Sequence, residues 1–473
     1  MRASRWAGAV AVVATACATS GDDGATGPLP SDDATADPGP DPGGDPGGDP
    51  APGEDSGADD PGTAPPPCPV AIGDVGYAAL GAAIDAASAG DVITVCAGTF
   101  VGTFTARVPL TVIGAGADQT VLDGGGAGTT LTLRGDSAVR GLTIRNGAGT
   151  AGGGIHAEGA GSLTVTDCVI ADNTAGEGGG LWSSGLDLVL ASTRFDGNEA
   201  TETDGGGFLA RSGTITATDV VVYRNVAIHE GGGWFGDEVD VVLDGTSVEE
   251  NVANAGGGAW LSRGTLVGGT FARNVGGTGG GLSMWFADAT GIVADGNIAL
   301  AAGGGVFLDD QGALVDAVVT GNHSAVPGIG MGGGVAVMRL AGFGLAITGS
   351  TIEDNDAWLG GGISADGSAT LTITDTTIRG NTGGLGGGLY ASHDHRLELV
   401  EAVIEENVAT TTGGGVYTST GFGAITSEAS DWGTPELGTD NTPNDVWIQQ
   451  DTFSGFGAGA TFTCDGGGCS PAR

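Results

Sequence analysis

The sequence predicts an all-β solenoid, a chain wound into stacked coils whose strands pair as parallel sheets. Three observations carry this. A Gly-Gly-Gly triplet followed by an apolar residue occurs eleven times, ahead of Ile155, Leu181, Phe208, Trp234, Ala259, Leu282, Val306, Val335, Ile363, Leu389 and Val416, at spacings of 23 to 29 residues. An asparagine precedes each triplet (Asn146, Asn173, Asn198, Asn225, Asn251, Asn274, Asn297, Asn322, Asn355, Asn381, Asn407), and ten of these follow an apolar residue by three positions, as in Phe195-x-x-Asn198. Such repetition at a period of 20–50 residues marks a solenoid. Finally, the segments between the glycines, asparagines and aspartates are short and β-rich. They leave no room for the helix of a leucine-rich repeat, and glycine is a poor helix former. Stacked coils would place strands about 4.8 Å apart and pile the asparagines into one ladder, each amide bonding to the coils on either side. Eleven in a column is the expectation.

Composition narrows the function. The chain has 473 residues, 97 of them glycine, and its 57 acidic residues face 15 arginines and no lysine, for a formal charge of −42. The glycines do not recur at every third position, which excludes collagen. Nucleic acid is excluded as a partner because phosphate backbones require a basic footprint. No apolar run reaches the roughly 18 residues that span a bilayer.

From the N-terminus, Arg2 and Arg5 precede an apolar stretch ending in Ala14-Thr15-Ala16-Cys17, which reads as a secretory signal over residues 1–16. Cys17 resembles the lipid-bearing cysteine of a bacterial lipobox, with Ala14 where leucine is usual. Residues 17–67 would then be a tether: from Gly21 to Pro67 there are 12 prolines, 12 acidic residues and no basic one, a composition that cannot form a core and extends by self-repulsion. The expected location is the outer membrane or cell surface, with lipid anchoring as the only membrane contact; Ala14-x-Ala16 also suits ordinary signal peptidase, and the alternative is a plainly secreted protein. The folded part is assigned to 68–430 with a C-terminal cap over 431–473. Cys68 with Cys96 and Cys464 with Cys469 are candidate disulfides of an oxidising compartment. Cys168, in an apolar strand, is expected as a buried thiol. No metal site or resident cofactor is implied, because no histidine accompanies the cysteine pairs.

The Gly-Gly-Gly-apolar and Phe-x-x-Asn pattern (Phe195-x-x-Asn198, Phe271-x-x-Asn274) resembles the repeat of polymorphic outer-membrane proteins, which form right-handed parallel β-helices. The segment from Tyr77-Ala-Ala-Leu80 through Ile84 to Cys96 resembles the opening of pectin-lyase-like β-helices, where an amphipathic helix caps the first coil. Leu80, Ala83, Ile84 and Ala87 would be its apolar face. The resemblance spans roughly residues 70–430 and implies a right-handed parallel β-helix with an N-terminal capping helix. No autotransporter barrel follows the repeats in this sequence.

Strand alternation then assigns faces. The first and third residues after each triplet should point inward and the second and fourth outward. The second row holds Trp182, Phe235, Trp260, Phe307, Tyr390 and Tyr417 among eleven positions, although aromatics are 5 % of the chain. A dense aromatic row suggests an interaction surface, suited to sugar rings and, given its acidic flanks, poorly suited to anions. The competing reading is cross-strand stacking alone. The fourth row holds Glu158, Asp237, Asp309 and Asp366. For catalysis, Asp309 and Asp366 would lie two coils apart, about 9.6 Å, at the upper limit for an inverting glycosidase pair. Arg339 approaching Asp310 is the one basic candidate for a lyase, which would also call for calcium. The loop Val326-Pro-Gly-Ile-Gly330 is expected to wall a groove there. His393-Asp394-His395 stands isolated and reads as a solvated loop. Eleven similar coils without one eccentric motif favour extended binding of a polysaccharide or surface protein, in adhesion or glycan contact. A polysaccharide lyase or glycoside hydrolase acting on the same face is the alternative.

Overall fold

The structure, a computed structural model, describes residues 70–473 except 342–343, 369, 393–395, 420–423, 435–436, 449–450, 454–455, 458, 466–467 and 472–473. The expectations on Cys17, Cys68 and residues 1–67 lie outside the described residues. The chain winds into a right-handed parallel β-helix of about thirteen turns. A representative coil contains Leu181–Ser184, which follows the triplet, then Asp187–Ala191, Arg194–Asp196 and a short corner strand, Glu199–Ala200. Each strand pairs in parallel with its counterparts one coil before and after; Leu181, for example, lies between Ile155 and Phe208. The corner strands form a separate eleven-stranded sheet from Ala148–Ala151 to Val408–Thr412.

The winding follows from the repeat chemistry. The first glycine of every triplet has positive φ, between 56° and 71°, a region in which side chains are strained. The third has no room for one: a Cβ on Gly258 would sit 2.5 Å from the Gly281 carbonyl oxygen and 2.9 Å from Asn274 Nδ2. The apolar residue after each triplet points inward and is at most 1 % exposed in all eleven coils. Interior rows such as Ile144, Ile170, Phe195 and Val222 continue from coil to coil in register, so the core is a stack of layers.

The asparagine ladder forms, with one change of membership. Asn173 Nδ2 donates to Asn198 Oδ1 at 3.0 Å and to the Ile144 carbonyl at 3.1 Å, and the Asn173 N–H donates to the same Asn198 oxygen. This pattern repeats through Asn407, whose Nδ2 donates to Asn441 Oδ1 at 3.0 Å. Asn146 is not a rung. Ile144 pairs with Ile170, so Gly147 occupies the place of Asn173, and Asn146 sits one residue earlier at φ 53°. Every ladder residue from Asn173 to Asn407 is preceded by a residue in this left-handed conformation, which asparagine tolerates. Asn441 takes the eleventh place in the column.

Both ends abandon parallel pairing. At the start, Val70–Ile72 pairs antiparallel with Val75–Tyr77, and helix α1 (Leu80–Ala86) buries Leu80, Ala83 and Ile84 with Ala87 partly buried beside them. At the far end the parallel ladder passes residue 430, because Val446–Ile448 still pairs with Val416–Thr418. The expected boundary at 430–431 therefore falls inside the last turn. Antiparallel partners follow: Asp451–Phe453, and Ala460–Asp465 with Gly468–Pro471. Fully buried Trp432 packs on Phe456 and Phe462 there. Such caps cover part of the parallel edge at each end. Cys464 bonds Cys469 across the final hairpin, and Cys96 is disulfide-bonded. Cys168 is a buried free thiol, its pKa pushed up to about 11 by burial.

Candidate functional site

The outward row is continuous in register from His156 through Trp182, Leu209, Phe235, Trp260, Ser283 and Phe307 to Tyr390, Tyr417 and Trp447. Its rings use most of their faces on each other. His156 and Trp182 stack at 4.6 Å, Phe235 and Trp260 at 4.8 Å, and Tyr417 stacks on Tyr390 at 5.4 Å and on Trp447 at 4.4 Å, each within 7° of parallel. Leu209 and Phe235 are buried and the other aromatic members are half-buried. The row therefore offers ring edges along most of its length, and ring faces only where a stack ends.

What covers the row is the residue before each triplet, at the end of the corner strand. These residues form a second line in register: Ala151 and Glu177, then Glu230, Ala255, Thr278, Ala302 and Met331, with Asp204 bridging Glu177 and Glu230 through backbone bonds. The glycine turn folds this line toward the aromatic row. A groove of ≈ 680 Å³ opens between the two where Trp260, Ser283 and Phe307 form the floor, Thr278 and Ala302 one wall, and Trp285 and Asp309 the other. Glu230 closes one end, and Met338 and Asp310 lie at the other. Among the described residues no arginine or histidine lines it, although the Arg263 guanidinium lies 5.6 Å over the ring of Trp285 in its wall.

Of the expected catalytic set, Asp309 and Asp310 line the groove, and the Trp285 indole N–H donates to Asp310 Oδ2 at 2.8 Å. Asp366 lies two coils from Asp309 as expected, but Met338 holds the intervening place, and Asp366 accepts a hydrogen bond from the Ser392 hydroxyl. Arg339 follows Met338 at a register shift; its side chain, like His393, Asp394 and His395, lies outside the described residues. Loop 326–330 does not wall this groove. Val326 and Pro327 instead border a separate depression of ≈ 340 Å³ with Trp358 and Asp356. Of the six aromatic candidates the groove gathers Trp260 and Phe307, while Trp182, Phe235, Tyr390 and Tyr417 belong to the stacks.

The sequence expectations did not include an acidic run on the corner line, of which Glu230 reaches the groove. Glu177, Asp204 and Glu230 occupy three consecutive coils. Arg211 reaches Glu177 at 2.9 Å, and Arg263 engages Asp237. Burial, then the neighbouring Asp204 and Asp237 charges, push Glu230 up to about 7. Burial likewise raises Asp204, although Asp204 accepts a bond from the Glu230 N–H at 3.1 Å. Among the described residues no group of three or more His, Cys, Asp or Glu is placed to hold a metal ion. The groove thus combines ring faces, carboxylate acceptors and one carboxyl group that titrates near neutrality.

No family model and no curated protein matches the chain. Among solved structures it is similar to the catalytic unit of a thermostable GH87 alpha-1,3-glucanase from Streptomyces thermodiastaticus strain HF3-3, with TM-score 0.35 and 14 % identity over 79 % of this chain and 67 % of that one. A mannuronic acid specific polysaccharide family 6 lyase from human gut microbiota gives TM-score 0.31 and 13 % identity over 66 % and 82 %. The A-module of the mannuronan C-5 epimerase AlgE4 from Azotobacter vinelandii gives 0.27 and 13 % over 80 % and 95 %. At these values neither residue roles nor activities are carried across.

Proposed function

We propose that this protein binds neutral polysaccharide in the groove between its aromatic row and its corner line. We further propose that it works at the cell surface, exported by residues 1–16, lipid-anchored at Cys17 and held off the membrane by the acidic tether. The observation that carries the binding reading is the groove itself: a ≈ 680 Å³ cleft whose floor presents Trp260 and Phe307 and whose rim presents Glu230, Asp309 and Asp310. Ring faces take the apolar faces of sugars, carboxylates accept hydrogen bonds from hydroxyls, and the same carboxylates disfavour uronates by like charge. A few convergent polar groups around an apolar floor is the usual form of a ligand site. Depletion of the full chain by insoluble neutral glucans, mannans and xylans tests this; equal recovery of the protein with and without every one of them would refute it.

One observation favours a second reading, glycan cleavage in the same groove. Glu230, at about 7, is poised to give up a proton near neutral pH, as a general acid must. Asp237, held by Arg263 and the Ser262 hydroxyl, is the neighbouring carboxylate. Release of reducing ends that disappears in Glu230→Gln would establish cleavage, and binding without any release would leave the protein a binder.

A further inference from the structure

The outward row repeats an aromatic ring at the strand spacing and then omits one. Stacked neighbours lie 4.4 to 5.4 Å apart, close to the spacing of adjacent parallel strands. Trp260 has one face against Phe235 and the other toward the coil of Ser283. Phe307, one coil further on, has no ring contact among the described residues. Trp260 and Phe307 are therefore separated by two strand spacings, about 9.6 Å, which is the separation of two rings with a third between them. Ser283 puts no bulk there: its hydroxyl turns back to donate to the Thr278 carbonyl at 3.2 Å. The row is interrupted again at Ala336 and Ser364, which are as buried as Ser283 but, unlike Ser283, do not line the groove.

We propose that the Ser283 rung is a slot for one sugar ring, sandwiched between Trp260 and Phe307, and that it sets which ligands the groove accepts. This rests on the carbohydrate reading above and adds the ligand class: a neutral pyranose with an unsubstituted face on each side. The acceptors near the slot, Asp309 and Asp310, match hydroxyl donors and repel carboxylated sugars. A pyranose, whose hydroxyls can donate to these carboxylates, is therefore favoured over an aromatic ring, which offers them no donor. An aromatic side chain at position 283 would fill the slot with the protein's own ring and complete the stack.

The test titrates the full chain with cellohexaose, laminarihexaose, maltohexaose, mannohexaose and xylohexaose, following tryptophan fluorescence and heat. Ser283→Trp should lose roughly tenfold or more in affinity for whichever sugar the parent protein binds, the loss expected when one ring contact is removed, with an unchanged circular dichroism spectrum. Ser283→Ala, which keeps the slot open, should bind within about twofold of the parent. If Ser283→Trp fails to fold, Phe307→Leu supplies the answer by removing one side of the sandwich at similar volume, with a loss of roughly fivefold. Parent-like binding by Ser283→Trp, or by Phe307→Leu where Ser283→Trp does not fold, overturns the slot while leaving the groove reading in place. An equal loss in Ser283→Ala also overturns it, since the hydroxyl and not the space would then matter. Tighter binding of p-nitrophenol than of any sugar overturns the pyranose assignment. No binding of any of these sugars by the parent overturns the slot and the groove reading together.

Discussion

Two ladders run the length of the solenoid, and they differ in whether they can be broken. The asparagine column has eleven rungs from Asn173 to Asn441 without a substitution. The aromatic row is interrupted at Leu209, Ser283, Ala336 and Ser364. The asparagines are at most 2 % exposed, and from Asn173 to Asn407 each side-chain NH2 donates to the coils on both sides while its oxygen accepts from the coil before, as Asn274 does with Val248, Asn297 and Asn251. A missing rung would strand donors and a carbonyl on the coil before it and remove a donor from the asparagine oxygen of the coil after it, away from water. Most of the aromatic rings are half-buried and meet their neighbours in the row by stacking, so a missing ring costs little and leaves space. A break in the buried column is a defect, whereas a break in the surface row is a place for something else.

The strongest way to sharpen that contrast is to break the buried column. Asn274→Ala removes the oxygen that accepts both the Asn251 N–H and its Nδ2, and the donor to the Val248 carbonyl. The expected loss is about 3 kcal/mol or more in urea unfolding, from buried groups left unpaired. Asn146→Gly, at the exposed left-handed position outside the column, should be within about 0.5 kcal/mol of the parent. Equal effects of the two would erase the distinction.

Next comes the carboxyl group that closes one end of the groove. Glu230 is raised from 4.5 to about 7, so the folded state holds a proton that the unfolded state has already released. Stability should fall as pH rises from about 4.5 to about 7, by about 3 kcal/mol in all, and level off above that. Asp204, also raised, adds a slope of the same sign. Glu230→Gln should flatten most of the decline; an unchanged pH profile of thermal unfolding would place the titration elsewhere.

Smaller effects separate groove from stack. Trp260→Ala should weaken retention on a bound glycan by roughly tenfold, and Trp182→Ala, whose ring is stacked on His156 away from the groove, by about twofold or less. Frontal affinity chromatography on the same glycan compares them directly.

Much of this was legible in the chain itself, for reasons that also explain what was not. The triplets, the inward apolar residue and the asparagine corner repeat eleven times, and each depends on local backbone conformation or immediate neighbours along the coil. α1 announced itself through Leu80, Ala83, Ile84 and Ala87. Asn146 was misassigned because asparagine suits both a ladder rung and a left-handed corner; only its one-residue offset from Ile144 separates the two. Asn441 was missed because no glycine triplet follows it. The groove was half legible. Alternation along a strand assigns Trp260 and Phe307 to the outside, but not the neighbouring segment that folds over them. That depends on the angle of the glycine turn, which sequence spacing does not encode. Reading the residue immediately before each triplet would have shown Glu177, Asp204 and Glu230 in succession.

Hydrogen–deuterium exchange with and without a saturating neutral oligosaccharide tests the central claim most directly. Added protection should concentrate on Ala259–Ser262, Leu282–Trp285 and Val306–Asp309, the strands that floor the groove. Protection confined to Leu389–Ser392 and Val416–Thr418, or to a face away from the aromatic row, would contradict it.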